Sequence, residues 1–230
     1  MQSQHRYLGI LSLERGPSPP KPRPGSIQDP DTFDFPTISE TVTGAWPDRI
    51  LPGDPTLEPA CIAAARRLVE RGAVAISSNC GFFIRHQAAV AAAVNVPVAL
   101  SSVLLAPMLL RQLSRTAKLA VVTADSKLCD EDLLDIDDPA DRTRIVIDGI
   151  EGGKYYQNEM KRPPLQTSVA DIERDVVACV SRLRAVHPEI AAILFECTGL
   201  PSVAPAIRRL TGLPVYDITT LCRLTMASII

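Results

Sequence analysis

Two cysteines stand where a thiol can do proton chemistry. Cys80 follows the run AVAISSN and precedes Gly81; Cys197 follows AAILFE and precedes Thr198 and Gly199. Each closes a strand-like segment and leads toward a helical one. In open α/β sheets, ligands bind beyond the carboxyl ends of the strands. A thiol at such a turn is close to free backbone N–H groups and to the positive end of a helix. Both lower its pKa from about 8.5, and the same N–H groups can hold a carboxylate. Gly81 and Gly199 would let the backbone approach a ligand closely. The pair is a candidate acid and base.

Other residues near these turns have a chemical and a plain reading each. Asn79 could donate to a substrate carboxylate or close a turn, and the Thr198 hydroxyl could do the same from the other side. Ser12 and Thr123 end first strands, where they would contact ligand or cap the next segment. Phe82 would line an apolar pocket or pack in the core. Glu196 could tune Cys197, although strand alternation points it away from the site. His86 is expected on a helix surface, and His5 and His187 in solvent. Lys154, Tyr155 and Tyr156, after a Gly-Gly pair, are candidates for a lid. Cys61, Cys129, Cys179 and Cys222 lack the turn setting and are expected as buried apolar side chains. No CxxC pair or Cys/His cluster has zinc spacing, so no metal site is expected. The acidic positions between 130 and 138 are expected to form a solvated turn.

The elements that must position the two thiols alternate between strand and helix patterns, which implies an α/β class with mainly parallel sheet. Strands are expected at residues 7–13, 38–42, 73–77, 97–100, 119–123, 143–147, 191–195 and 215–218. Helices are expected at 56–71, 82–94, 103–113, 126–134, 168–186, 202–210 and from 219 to the end. Residues 14–36 are proline-rich without either period and form a long loop, a common form for an active-site lid. Residues 149–164 are expected as a second loop. The order of elements occurs twice, with AVAISSNCGFF then VPVALSS in one half and AAILFECTGLP then LPVYDIT in the other. Two pseudo-symmetric α/β domains are therefore expected, with the site in the cleft between them. Residues 1–103 plus 214–230 would carry Cys80, and residues 104–213 would carry Cys197.

Composition narrows the function classes. The chain has 230 residues, 46% apolar, which suffices for a sizeable core. Its 24 basic and 26 acidic residues give a net charge of -2, and aromatics are 4%. Neither a basic footprint nor a stacking platform for nucleic acid is present. No apolar run reaches the roughly 18 residues of a membrane span, and the opening residues lack a signal-peptide pattern. The expectation is a soluble cytoplasmic protein with a small-molecule ligand.

SNCGF around Cys80 and ECTGLP around Cys197 resemble the two cysteine motifs of the aspartate/glutamate racemase superfamily, over nearly the whole chain. The DPDTFDFP segment at 29–36 looks like a feature of one branch of that group. The resemblance implies a cofactor-independent racemase or epimerase of an amino acid or related small carboxylate, without pyridoxal or metal, and a homodimer. Cys80 and Cys197 would be the thiolate base and the thiol acid on opposite faces of the substrate. Ser12, Asn79, Gly81, Phe82, Thr123, Thr198 and Gly199 would surround it. Related decarboxylases and cis-trans isomerases of dicarboxylates share the motifs, and a non-catalytic carboxylate-binding protein would keep them too. Glutamate racemases typically carry a histidine after the second motif's threonine and an aspartate after the first strand. Here Gly199 and Ser12 stand in those places.

Overall fold

A computed structural model describes residues 6–229. Its strands are β1 (Tyr7–Ser12), β2 (Thr37–Thr41), β3 (Ala73–Ser78), β4 (Val98–Ala99), β5 (Lys118–Thr123), β6 (Ile145–Gly149), β7 (Ile190–Phe195) and β8 (Val215–Tyr216). They form two four-stranded sheets, ordered β2-β1-β3-β4 and β6-β5-β7-β8. Every pairing is parallel. The expected two-sheet α/β fold is therefore present. The halves match in detail. β1 against β3 slips register at Tyr7/Leu8, and β5 against β7 slips at the equivalent Lys118/Leu119.

Strand alternation divides the apolar residues among three cores. Leu11 of β1 and Ile76 of β3 face an outer core under the helix Glu58–Glu70. That helix buries Cys61, Ala64, Ala65 and Leu68, a stripe at helical spacing. Val122 of β5 and Ile193 of β7 face the equivalent core under Val169–Val186, whose first turn is capped by the Ser168 side chain. The inner faces share one core: Leu8, Ile10 and Ala75 from one sheet, Leu119, Val121 and Leu194 from the other. Two helices fill it crosswise. Ala106–Gln112 follows the first sheet but packs on β5, whereas Ile218–Ala227 follows the second sheet and packs on β3 and β4. Within residues 214–230, Val215–Tyr216 pairs with β7 of the second sheet and the helix after it packs on the first.

Several local expectations differ. Cys80 is followed by a 3-10 turn, Gly81–His86, and only then by the helix Gln87–Ala93. A helix stands at Lys154–Glu159 within the expected loop; Gly153 is its N-cap, and Pro163 and Pro164 lie just beyond it. Residues 126–130 are not helical; only a 3-10 turn, Glu131–Leu134, capped by the Asp130 side chain, follows them. Ile218 starts the last helix instead of ending a strand, with Asp217 capping Thr219 and Thr220. Residues 14–36 contain no regular element, as expected, yet Ile27 and Phe35 are buried in the shared core. No helix among the described residues is long and apolar enough to cross a membrane.

Candidate active site

β3 and β7 end at equivalent points, and Cys80 and Cys197 follow each by two residues. Asn79 N–H bonds to the Leu11 carbonyl, and Glu196 N–H to the Val122 carbonyl, so each turn is pinned to its central strand in the same way. The Ser78 hydroxyl lies between the Cys80 and Leu100 carbonyls at 2.7 and 2.6 Å and shares its one proton with them, which fixes the first turn further. The backbone N–H two residues ahead, that of Phe82 for Cys80 and of Gly199 for Cys197, pulls each thiol's pKa down.

Both cysteines line one small cavity of about 40 Å³. Leu13, Pro47, Leu51 and Met160 give it an apolar side; Arg15, Tyr155 and Glu159 give it a polar one. That volume holds only a water or two. Above it lies a larger cavity of about 460 Å³, walled by the proline-rich loop and shared through Arg15, Asn79, Tyr155 and Thr198. Between the two, Arg15 pairs with Glu159 at 2.8 Å, Arg23 approaches the same carboxylate at 3.7 Å, and Arg23 donates to the Tyr155 hydroxyl at 3.0 Å. The arginines come from the loop and their partners from the Lys154–Glu159 helix, so elements of both halves meet over the thiols.

The thiols are not tuned as expected. Burial, followed by the charges of Glu196 and Cys197, pushes Cys80 well above its ordinary value. Burial and then Glu196 push Cys197 up to about 12, against the pull of the Gly199 N–H. The expected helix-dipole effect is absent because neither cysteine opens an α-helix; 3-10 turns intervene before Gln87–Ala93 and Ala204–Thr211. A few backbone N–H groups do not outweigh desolvation by several pKa units.

Of the expected site residues, Cys80, Cys197, Asn79 and Thr198 line the inner cavity, and Ser12 and Gly199 the outer one. Asn79 is occupied structurally: its Oδ1 accepts from the Leu13 N–H, and its Nδ2 donates to Gln28, which in turn donates to Ser12. Three residues lie outside both cavities. Phe82 is in the outer core. Thr123 is fully buried and donates to Glu196 Oε2 at 2.8 Å. The space beside Gly81 is filled by the Glu196 carboxyl, and that beside Gly199 by the Tyr155 hydroxyl, so both glycines make room for the protein's own side chains. His86 is buried instead of exposed, since the 3-10 turn rotates it inward, and burial lowers its pKa. His5 lies outside the described residues. Arg15, Arg23, Gln28 and Glu159 were not singled out by sequence. The loop has no periodicity to mark them, and only its length signalled function.

No family model matches the chain. It is 29% identical over 228 residues to a dimethylsulfoniopropionate lyase of Durusdinium sp. clade D, an alignment spanning 93% of this chain and 72% of that protein. It is 28% identical over 224 residues to dimethylsulfoniopropionate lyase 5 of Emiliania huxleyi, spanning 93% of this chain but 44% of that protein. Among solved structures, glutamate racemase from Francisella tularensis superposes with a TM-score of 0.60 at 14% identity, covering 98% and 81% of the two chains. Unliganded arylmalonate decarboxylase gives 0.55 at 16%, covering 97% and 92%. The two-domain α/β fold of the racemases and of this decarboxylase is the fold of this chain.

Proposed function

We propose that this protein is a cysteine-dependent lyase. It would remove the proton α to the carboxylate of a small substrate and expel a leaving group from the β carbon. The first candidate substrate is dimethylsulfoniopropionate. The observation that carries the reading is the placement of Cys80 and Cys197, at equivalent turns of two sheets, on one small cavity. The similarity to a dimethylsulfoniopropionate lyase over 93% of the chain supports this chemistry.

Cys197, the less buried residue of the two, is the first choice of base. Its thiolate takes the α proton, the carbon–sulfur bond breaks, and the electron pair leaves with neutral dimethyl sulfide; acrylate remains. A placed base contributes about 10²–10⁴ in rate. Arg15 and Thr198 receive the carboxylate and the charge that grows on it. Glu159 and the ring of Tyr155 suit the sulfonium end, as anion and aromatic face. Elimination leaves Cys80 as a thiol that need not give up its proton, and it asks for neither of the racemase helper residues that Ser12 and Gly199 replace.

A racemase is the second reading, favoured by the equivalence of the two thiols across the pseudo-twofold. The test is headspace detection of dimethyl sulfide from purified protein and dimethylsulfoniopropionate. Release that is lost in Cys197→Ser supports the lyase. No release, together with deuterium exchange at the α carbon of an amino acid, overturns it in favour of the racemase. Carbon dioxide from an arylmalonate would instead make it a decarboxylase, and stabilisation by a carboxylate without any turnover would leave only binding.

A further inference from the structure

The outer cavity carries more positive charge than its own carboxylates answer. Arg15, Lys21 and Arg23 line it, against Glu14, whose carboxylate already accepts the Gly44 N–H. Glu159 lies between the two cavities and is shared by Arg15 and Arg23. Three cations thus meet two carboxylates, and one positive charge is left over. A zwitterionic substrate at the thiols does not cancel it. The surplus falls on Arg23. Its side chain is 11% exposed, yet among the described residues its guanidinium donates once, to the Tyr155 hydroxyl. Glu159 stands 3.7 Å away, beyond hydrogen-bond reach, and Arg23 Nε has no partner. Ser26 belongs to the same turn, with its N–H bonded to the Arg23 carbonyl. It is buried, it lines the same cavity, and its hydroxyl has no partner either. Buried donors left without acceptors are costly, a charged one most of all. Two of them on one turn of the cavity wall call for an acceptor that the chain does not supply.

We propose that the outer cavity is a second ligand site, which takes a small organic monocarboxylate on Arg23, with the Ser26 hydroxyl as a further donor. A planar guanidinium matches a carboxylate edge to edge. One leftover charge suits a monoanion better than a dianion. The volume of about 460 Å³ is that of a small-molecule site, and Pro17, Pro20 and Ile27 supply apolar wall for the organic part. The site stands apart from the cysteine pair and goes beyond the lyase reading; neither requires the other.

Benzoate separates this site from the thiols, because its ring does not fit the inner space of about 40 Å³ and it has no α hydrogen to lose. Calorimetric titration of the native protein with benzoate should give saturable binding. Arg23→Gln should weaken it about tenfold or more, and Ser26→Ala about threefold. The Ser26 hydroxyl has no partner to lose. Ser26→Ala should therefore leave the melting temperature of the ligand-free protein unchanged or higher, and it still reads the site if the glutamine variant folds poorly. Benzyl alcohol, the neutral counterpart, should give no binding, and inorganic sulfate should bind more weakly than benzoate. Equal benzoate affinity in all three proteins, or no benzoate binding at all, would overturn the proposal. So would benzyl alcohol or sulfate binding as tightly as benzoate. Absence of dimethyl sulfide release with benzoate binding intact counts against the lyase alone.

Discussion

Side chains packed without slack around the thiols make small changes consequential. Gly199→Ala would drive a methyl into the Tyr155 hydroxyl. Loss of activity is expected, with partial recovery in Gly199→Ala/Tyr155→Phe, which removes the oxygen; kcat of the single and double variants measures it. Gly81→Ala would instead strike Glu196, both its carboxyl and its backbone, so no single second-site change should rescue it. Glu196 also makes stability depend on pH. Its carboxyl binds a proton more tightly in the folded state, with a value near 7 against 4.5 in the free side chain. The folded protein thus holds the extra proton between those limits, and the stabilisation present below pH 4.5 is lost as pH rises through 7. Relative to Glu196→Gln, the native protein should lose on the order of 3 kcal/mol between pH 4.5 and pH 8. Urea melts at the two pH values read this difference. Both cysteines were legible from their types and their matched turns. Glu196 was visible as a neighbour and expected to face away; it lines neither cavity, and its carboxyl fills the space beside Gly81.

Among elements, the proline-rich loop and the Lys154–Glu159 helix meet over the inner cavity through Arg15, Arg23, Tyr155 and Glu159. The side chains of Arg15 and Glu159 are 17% and 12% exposed, so this pair is more sheltered than a surface ion pair. A contribution of about 1 kcal/mol is reasonable for it. Glu159→Gln should therefore raise hydrogen exchange in residues 14–36 by roughly fivefold, measured by mass spectrometry, with the core strands unchanged. A uniform rise would mean that the pair stabilises the whole fold and not the closure. The strands were readable because buried parallel strands form continuous apolar runs. The helix at 154–159 was not, because the glycines before it and the prolines after it are loop signals whenever the intervening stretch is short. Residues 126–130 failed in the opposite sense: their spacing suits a helix, but only Glu131–Leu134 winds, as a 3-10 turn.

At the scale of the molecule, repetition carried the prediction. The duplicated order of elements was apparent in the sequence, and the two sheets repeat it strand for strand, down to the register slip. Ala106–Gln112 and Ile218–Ala227 each complete the opposite half. Fragments split between residues 114 and 117 should consequently be insoluble alone and associate when coexpressed, as read by copurification. A fragment that folds by itself would show that the shared core is dispensable.

The exchanged helices also limit how the protein can breathe. Two lobes that merely touched could swing apart like jaws to admit a ligand. Here the Ser102 hydroxyl is bonded to the Phe195 carbonyl at 2.6 Å, and both helices lie interleaved behind the thiols. The back of the cleft is thereby stitched shut. Traffic into and out of the pocket must pass at the rim, so turnover would be paced by how often a ribbon of prolines lifts and not by any swing of the lobes.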